Sequence, residues 1–338
     1  MDIKTIKTIE SATEKSISSF AKLSLSLLFL LAVFLWTYSS HGKVPDNTFL
    51  IIGAIFGAYM ALNIGANDVA NNVGPSVGAK ALTLTGAIII AGIFESAGAI
   101  IAGGDVVNTI KSGIIDPNLI ADKNSFIWAM TAGLLAGAVW LNFATSIGAP
   151  VSTTHAIVGG VMGAGIASAG FSILNWGSLA EIASSWIISP LLGGIVAAGF
   201  LYFIKKQIVY KENMLEQAQK FVPILIAIMT WAFTTYLILK GLKQLINIGF
   251  YSASGISILF AIVAYYLTKK SIEKNLSNLT NDRSSVNKLF TPALIFGAAL
   301  LSFAHGANDV SNAIGPLAAI NDAIMHGGTS VQASVPFW

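Results

Sequence analysis

The stretch "LNIGANDVANNVGP", residues 62–75, places a cluster of polar side chains directly after a run of apolar and small residues. These polar side chains are Asn67, Asp68, Asn71 and Asn72. Nearly the same phrase returns at 303–316 as "FAHGANDVSNAIGP". Because a carboxylate at membrane depth is costly and usually functional, the repeat predicts a functional site. A duplicated structural turn is the plainer alternative.

The composition is that of a membrane protein. The 338 residues are 54% hydrophobic and 10% charged, with a mean hydropathy of +0.73, whereas soluble domains carry about 25% charged residues. A large soluble core is therefore excluded. The chain has no Cys, which excludes disulfides and Cys-based metal sites. The net charge of +3 comes without a basic patch interleaved with aromatics, so we expect no nucleic-acid partner.

Nine apolar segments are long enough to cross a membrane, since a spanning helix needs about 20 residues. They lie at 20–39, 48–66, 81–104, 125–144, 149–170, 178–204, 219–239, 246–268 and 289–305. The first could also be a signal peptide. No clear small-residue cleavage site follows it, so we expect an uncleaved span.

The basic residues predict a cytoplasmic N-terminus in the cell (inner) membrane. Lysines precede the first span, and basic residues cluster again in the loops after the sixth and eighth spans. With nine crossings these regions all lie on the cytoplasmic side. The two copies of the repeat are then seven spans apart and face opposite sides. Inverted repeats with interrupted helices are typical of secondary transporters that bind substrate near the midplane.

Each copy of the repeat predicts a broken helix. Gly65 lets the backbone leave helical geometry, Asn67 and Asp68 can cap a second half-helix, and Pro75 limits that half-helix about two turns later. The same interpretation applies in the second copy to Gly306, Asn308, Asp309 and Pro316. Two half-helices related by inversion would point their N-termini at one place and attract an anion there.

A third motif, "GAPVSTTHAIVGG" at 148–160, lies between two apolar runs. Its proline interrupts the helix, and the hydroxyls of Ser152, Thr153 and Thr154 follow. Hydroxyls at a helix start either cap it or donate to a bound oxyanion. Because capping needs only one of the three, we expect contact with substrate. His155 is left open between a helix-packing residue and a proton carrier.

Together the motifs "GANDVANNVGP", "PVSTTH" and "GANDVSNAIGP" resemble the signatures of the inorganic phosphate transporter (PiT) family. The similarity runs from about residue 48 to the end of the chain and includes "FESAGAIIAGGDVVNTIKSGI" at 94–114. The resemblance implies cation-coupled uptake of phosphate by two inverted repeats around one site. The substrate-binding residues that it implies are Asn67, Asn71, Ser152, Thr153, Thr154, Asn308 and Asn312.

The chain departs from the family pattern at both ends. An extra span precedes the family core, and the chain stops at "VQASVPFW" without the second hydroxyl motif of the family's second repeat. We therefore expect a fragment of a full transporter. The predicted organisation is an N-terminal segment with an extra helix at 1–47, a first inverted repeat at 48–204, linking helices and cytoplasmic loops at 205–288, and the start of a second repeat at 289–338.

The carboxylates predict a co-transported cation. Asp68 and Asp309 would repel a nearby anion, since two unit charges 4 Å apart repel by roughly 4 kcal/mol at an effective dielectric of 20. Neither signature contains Lys or Arg. We expect Na⁺ or H⁺ at these aspartates, which are metal ligands if the ion is Na⁺, and no other cofactor. Glu95, a third intramembrane carboxylate, binds the cation or hydrogen-bonds a neighbouring helix.

The sequence thus predicts an all-α polytopic transporter for phosphate in a lipid bilayer, not an enzyme. A homodimer is one possibility for its oligomeric state. A sulfate permease of the same architecture and a cation channel lined by the aspartates are the alternatives. A membrane enzyme is disfavoured, because the Ser/Thr cluster and His155 lack an evident nucleophile–base arrangement.

Overall fold

The computed structural model describes residues 3–42, 47–103, 113–241, 248–276 and 279–326, with side chains from Phe20 onward except at 275 and 326. Within these ranges the chain forms nine α-helices and no strand longer than a single bridge. The helices are α1 (Ile3–His41), α2 (Asn47–Gly78), α3 (Leu84–Ala102), α4 (Lys123–Ser146), α5 (Thr153–Ala169), α6 (Trp176–Ile204), α7 (Met214–Gly241), α8 (Phe250–Asn275) and α9 (Arg283–His326). The terminal "VQASVPFW" and part of the family-like stretch at 94–114 lie outside the described residues.

Eight of these helices are long and apolar enough to cross a membrane, which confirms the all-α polytopic class. The exception is α5, at the predicted span 149–170. With 17 residues and a rise of about 1.5 Å per residue, α5 is about 26 Å long. That length falls short of the roughly 30 Å hydrocarbon core. The predicted span at this segment is therefore not among the membrane-length helices of the described chain, and the inverted orientation of the repeats, which depended on the count, stays a prediction.

The helix breaks predicted at Gly65 and Gly306 are wrong. Helix α2 runs without interruption through the first signature and contains Pro75, and α9 runs through the second. An unbroken helix pairs its own backbone groups, and each unpaired group in hydrocarbon costs several kcal/mol. A glycine inside a helix costs only about 1 kcal/mol relative to alanine. Continuity is therefore the less costly arrangement at both motifs.

Short polar residues set the helix starts that flank the motifs. Thr83 caps α3, Asp122 caps α4 and Ser152 caps α5, each accepting a hydrogen bond from a backbone N–H of the first turn. Such caps satisfy donors that the helix itself cannot pair. Gly170, at φ +77°, follows the last residue of α5, a conformation that favours glycine. The predicted interruption of the chain before the hydroxyl motif is confirmed, since α4 ends at Ser146.

The chain forms two compact units, each assembled from separate segments. The first comprises 1–67, 106–175 and 310–338, and the second comprises 68–105 and 176–309. These boundaries cut α2 between Asn67 and Asp68, and α9 just after Asp309. The predicted repeat boundaries concern sequence repeats rather than compact units, and they stay a prediction.

In the first unit, α4 and α5 pack closely along a seam of glycines. A Cβ at Gly160 would overlap the carbonyl oxygen of Gly133, and one at Gly133 would lie 3.0 Å from Val161 Cα. Small residues permit such close approach of helices in membranes. The close packing holds the six-residue turn between α4 and α5, and with it the hydroxyl motif, in one place.

In the second unit, aromatic and small residues pack α3, α7 and α9 together. The ring of Phe233 meets those of Phe296 and Phe303 edge-on, at centroid distances of 6.0 and 5.9 Å. Phe303 is buried with Ala102 and Ala307. This core lies next to the second signature, because Phe303 precedes Asp309 on α9 by less than two turns.

Candidate functional site

A carboxylate–imidazole cluster lies inside the second unit. Nε2 of His305 is 2.9 Å from Oδ2 of Asp309 and 3.6 Å from Oδ2 of Asp68. Nδ1 of the same ring is 3.3 Å from Oε1 of Glu95. The structure thus brings together the three carboxylates predicted to couple a cation, and it arranges them around one histidine.

A close crossing of α3 and α9 positions this cluster. A Cβ at Gly98 would overlap the carbonyl oxygen of Phe303, and a Cβ at Gly306 would overlap the backbone of Glu95. Glycine at both positions therefore lets the two helix backbones touch, which brings Glu95 beside His305. Gly306 does not break its helix as predicted; it removes the side chain that would keep the helices apart.

Asn72 fixes the orientation of Glu95. Its Nδ2 donates to Oε1 of Glu95 at 2.7 Å, and Asn72 is buried. The sequence reasoning noted this asparagine but did not assign it to the site. The repeat concealed it, because the second copy has Ala313 at the matching position.

His305 is the residue that the sequence reasoning missed. It immediately precedes the second signature, and the first copy has Ile64 at the matching position. His305 is therefore not among the residues that the two copies share. The available signal was its spacing, since a histidine four residues before Asp309 lies on the same face of a helix.

The electrostatics of this cluster favour uptake of cations. The side chains of Asp68 and Asp309 are 9% and 13% exposed, and that of His305 is 16% exposed. Carboxylates this close and this buried repel one another strongly when ionised. A protonated His305 would offset one negative charge. Three ionised carboxylates would still leave the cluster negative, so it can take up protons or a metal cation.

A second polar cluster lies inside the first unit, at the turn between α4 and α5. Nδ2 of Asn67 donates to Oγ1 of Thr145 at 2.9 Å and to the carbonyl of Ala149 at 3.2 Å. Its Oδ1 accepts from the backbone N–H of Val151 at 3.2 Å. Because a carboxamide has two N–H donors, one donor of Asn67 is engaged with the last turn of α4 and the other with the turn that follows it. The geometry makes Asn67 a clamp on the turn that leads into α5.

The hydroxyl motif forms the start of α5 in this cluster. Ser152 accepts from the N–H of His155, and Thr153 is buried. Oγ1 of Thr154 lies 3.2 Å from Nδ2 of Asn312, which is fully buried. Among the described residues, Oδ1 of Asn312 has no hydrogen-bond partner. Four residues predicted to bind substrate therefore surround the start of one helix.

The other two predicted substrate residues are placed differently. Asn71 and Asn308 are exposed on α2 and α9. His155 is exposed in the first turn of α5, so its alternatives stay open. The roles of these three residues remain predictions.

A further pair of asparagines, which the sequence reasoning passed over, lies one turn from Asn67. Nδ2 of Asn142 donates to Oδ1 of Asn63 at 3.0 Å, and Asn63 donates to the carbonyl of Tyr59 at 2.8 Å. Together with the bond from Asn67 to Thr145, this pair joins α2 to α4 at two successive levels. The two levels fix the register of the helix that ends at the hydroxyl turn.

Eight membrane-length helices in the described part of the chain, together with buried carboxylates, an imidazole and a hydroxyl-rich helix start, define a polytopic membrane transport protein. The family follows from comparison with known proteins. The chain belongs to the Phosphate transporter family, whose model matches residues 64–338. This is a family of permeases rather than of enzymes.

Two bacterial proteins illustrate how similar the chain is to known members of the family. A protein of Helicobacter pylori strain J99 described as "Putative phosphate permease" is 50% identical over 341 residues, covering 100% of this chain. This chain spans 64% of that relative's length. A protein of Haemophilus influenzae with the same description is 37% identical over 294 residues, covering 85% of this chain and 70% of the relative.

A solved structure shares the fold. It is titled "The sodium-dependent phosphate transporter", and it superposes with a TM-score of 0.79 at 33% sequence identity. The match covers 86% of this chain and 71% of that one. The helical architecture is thus common to both proteins.

Proposed function

We propose that this protein takes up inorganic phosphate across the cell (inner) membrane by symport with a cation, Na⁺ or H⁺, with its N-terminus in the cytoplasm. The observation that carries the proposal is the start of α5, where three hydroxyl residues and the buried amide of Asn312 surround a helix N-terminus. Membership of a phosphate transporter family supports this choice of anion. Neither the sulfate alternative nor the channel gains support from the comparisons.

The start of α5 suits a phosphate group for three reasons. The first N–H groups of a helix lack intrahelical acceptors and carry a partial positive charge. The hydroxyls of Ser152 and Thr154 accept hydrogen bonds in the structure, so their own protons remain to donate. In a second arrangement, turning the amide of Asn312 by 180° would present its NH₂ to the anion, and Thr154 would then donate to the amide oxygen instead of to the anion. Each donor to a charged oxyanion contributes about 1.5–3 kcal/mol.

The proposed cation is held by Asp68, Asp309 and Glu95 in the second unit. Buried carboxylate oxygens suit Na⁺ as well as H⁺, and the name of the structural neighbour favours Na⁺. Residues of the two clusters are neighbours along the chain, since Asn67 directly precedes Asp68 and Asp309 lies three residues before Asn312. A change in one cluster can therefore reach the other through the backbone of α2 and α9.

The test is uptake of radiolabelled phosphate by the purified protein in proteoliposomes. We expect accumulation under a Na⁺ gradient at equal pH to exceed that under a pH gradient without Na⁺. Unlabelled phosphate should abolish the signal and equal sulfate should not. Sulfate inhibition as strong as that by phosphate would refute the choice of anion, and active exchange that neither gradient drives uphill would refute cotransport.

A further inference from the structure

We propose that Asp68, His305 and Asp309 also form a binding site for a divalent transition-metal ion, with Zn²⁺ as the type. The site lies wholly within the second unit. Its three ligand atoms, one ring nitrogen and two carboxylate oxygens, all lie within 4.8 Å of one another. The binding itself depends only on this geometry and not on the proposed transport activity.

The distances fit a small tetrahedral ion. Zinc binds His nitrogen at about 2.0–2.1 Å and carboxylate oxygen at about 2.0–2.2 Å, so ligand atoms in a tetrahedral site are about 3.4 Å apart. The observed separations from Nε2 of His305 are 2.9 Å to Asp309 and 3.6 Å to Asp68. These two values bracket the ideal, and the oxygens of the two aspartates lie within 4.8 Å of each other. Three protein ligands leave a fourth position for water, as in other open zinc sites.

The surroundings of His305 match those of a metal-bound imidazole. Nε2 faces the two aspartates, so its lone pair can point at the ion once the ring nitrogen loses its proton. Nδ1 then carries the remaining hydrogen and faces Oε1 of Glu95 at 3.3 Å. In the structure this nitrogen is buried without a hydrogen bond of good geometry. A carboxylate behind the coordinated ring is the usual outer partner of a metal-bound histidine, and Asn72 holds this one in place.

A separate observation on the same face of α9 concerns an unpaired buried hydroxyl. Ser302 is three residues before His305 and seven before Asp309, so the three lie on one helix face. Its side chain is fully buried. Within the described part of the chain its hydroxyl has no hydrogen-bond partner. A buried hydroxyl without a partner is costly, and a water on the bound metal would supply one.

The ligand set discriminates between metals. Imidazole with carboxylate suits Zn²⁺, Co²⁺ and Ni²⁺, whereas Mg²⁺ and Ca²⁺ prefer oxygen ligands alone. The ion would occupy the two aspartates that the proposed function assigns to the coupled cation. If that function holds, Zn²⁺ inhibits phosphate uptake by competing for them.

The experiment titrates the purified, metal-free protein with Co²⁺ and follows the visible absorption of tetrahedral cobalt, then displaces it with Zn²⁺. We expect one equivalent bound. Glu95→Ala should weaken binding about 10- to 100-fold, as expected for loss of the outer partner, and His305→Ala should weaken it further. His41→Ala is the matched control, because it removes an imidazole outside the cluster. Circular dichroism and size-exclusion chromatography check that each variant is folded.

Wild-type protein that gives no cobalt spectrum, or binding that His305→Ala leaves unchanged, would overturn the proposal. If His305→Ala does not fold, Asp309→Asn and X-ray absorption of the wild-type zinc complex decide it, since one nitrogen and two carboxylate oxygens must appear among the ligands. Neither measurement involves transport. Binding without uptake would refute only the proposed function, and uptake without binding would refute only the metal site.

Discussion

The two signature glycines, Gly65 and Gly306, occupy matching positions in the repeat, yet the structure predicts opposite results when each becomes alanine. A Cβ at Gly306 would overlap the carbonyl oxygen and backbone carbons of Glu95. These are backbone atoms, so no side-chain rotation relieves the overlap and α3 and α9 must separate. A Cβ at Gly65 meets nothing within 4 Å.

The magnitudes follow from these surroundings. Overpacking at a closely packed contact costs about 1–3 kcal/mol, and Gly306→Ala should incur that cost. Alanine is a better helix former than glycine by about 1 kcal/mol, so Gly65→Ala should be neutral or slightly stabilising within the continuous α2. Because Gly306 also lies inside a continuous helix, the propensity gain is the same for both variants, and they should differ by the overpacking cost alone, about 1–3 kcal/mol.

Thermal unfolding of the detergent-solubilised variants, followed by circular dichroism, measures the difference. Phosphate uptake measured alongside should fall for Gly306→Ala, because separating the helices moves Glu95 away from His305. The reasoning is refuted if Gly65→Ala is as damaging as Gly306→Ala. That outcome would mean that both glycines serve a helix break, as the sequence alone had suggested.

The remaining predictions concern the two clusters and one helix cap. Thr145→Val removes one bond from the Asn67 clamp and should weaken phosphate affinity about 2- to 12-fold, the equivalent of one hydrogen bond of about 0.5–1.5 kcal/mol. Ser146→Ala should leave uptake kinetics unchanged, because the hydroxyl of Ser146 bonds within α4. Equal effects of the two variants would disprove the clamp. Thr153→Val should lower apparent affinity roughly tenfold or more with expression unchanged, if its hydroxyl donates to the anion; unaltered kinetics would return it to a structural role. Asp68→Asn should abolish concentrative uptake, and surviving accumulation would remove it from coupling. Hydrogen bonds from the side chain and backbone of Ser125 hold the pKa of Asp122 below its usual range. The contribution of Asp122 to stability is therefore present above about pH 4 and is lost as the pH falls through the lowered pKa. The unfolding temperatures of the wild-type protein and Asp122→Asn should converge on acidification, and a difference that stays constant with pH would contradict this.

The sequence by itself determined the class, the family and most of the chemically active residues. Runs of about 20 apolar residues identify membrane helices because length and hydropathy are local properties. A carboxylate stands out in such a run because its burial is costly, so Asp68, Glu95 and Asp309 could be selected without a structure. The hydroxyl motif was equally visible, since Pro150 and three hydroxyl residues indicate a helix start.

Only the tertiary structure decided how these residues are used. Glycine permits both a helix break and a close helix crossing, and only the position of Glu95 against Gly306 shows which applies. Asn67 has the donors for an anion or for a turn, and its bonds to Thr145 of α4 and to the α4–α5 turn show where they go. His305 and Asn72 have no counterpart in the other copy of the repeat, so their roles follow only from contacts between helices distant in sequence. Such contacts depend on how whole helices pack, which local patterns do not encode.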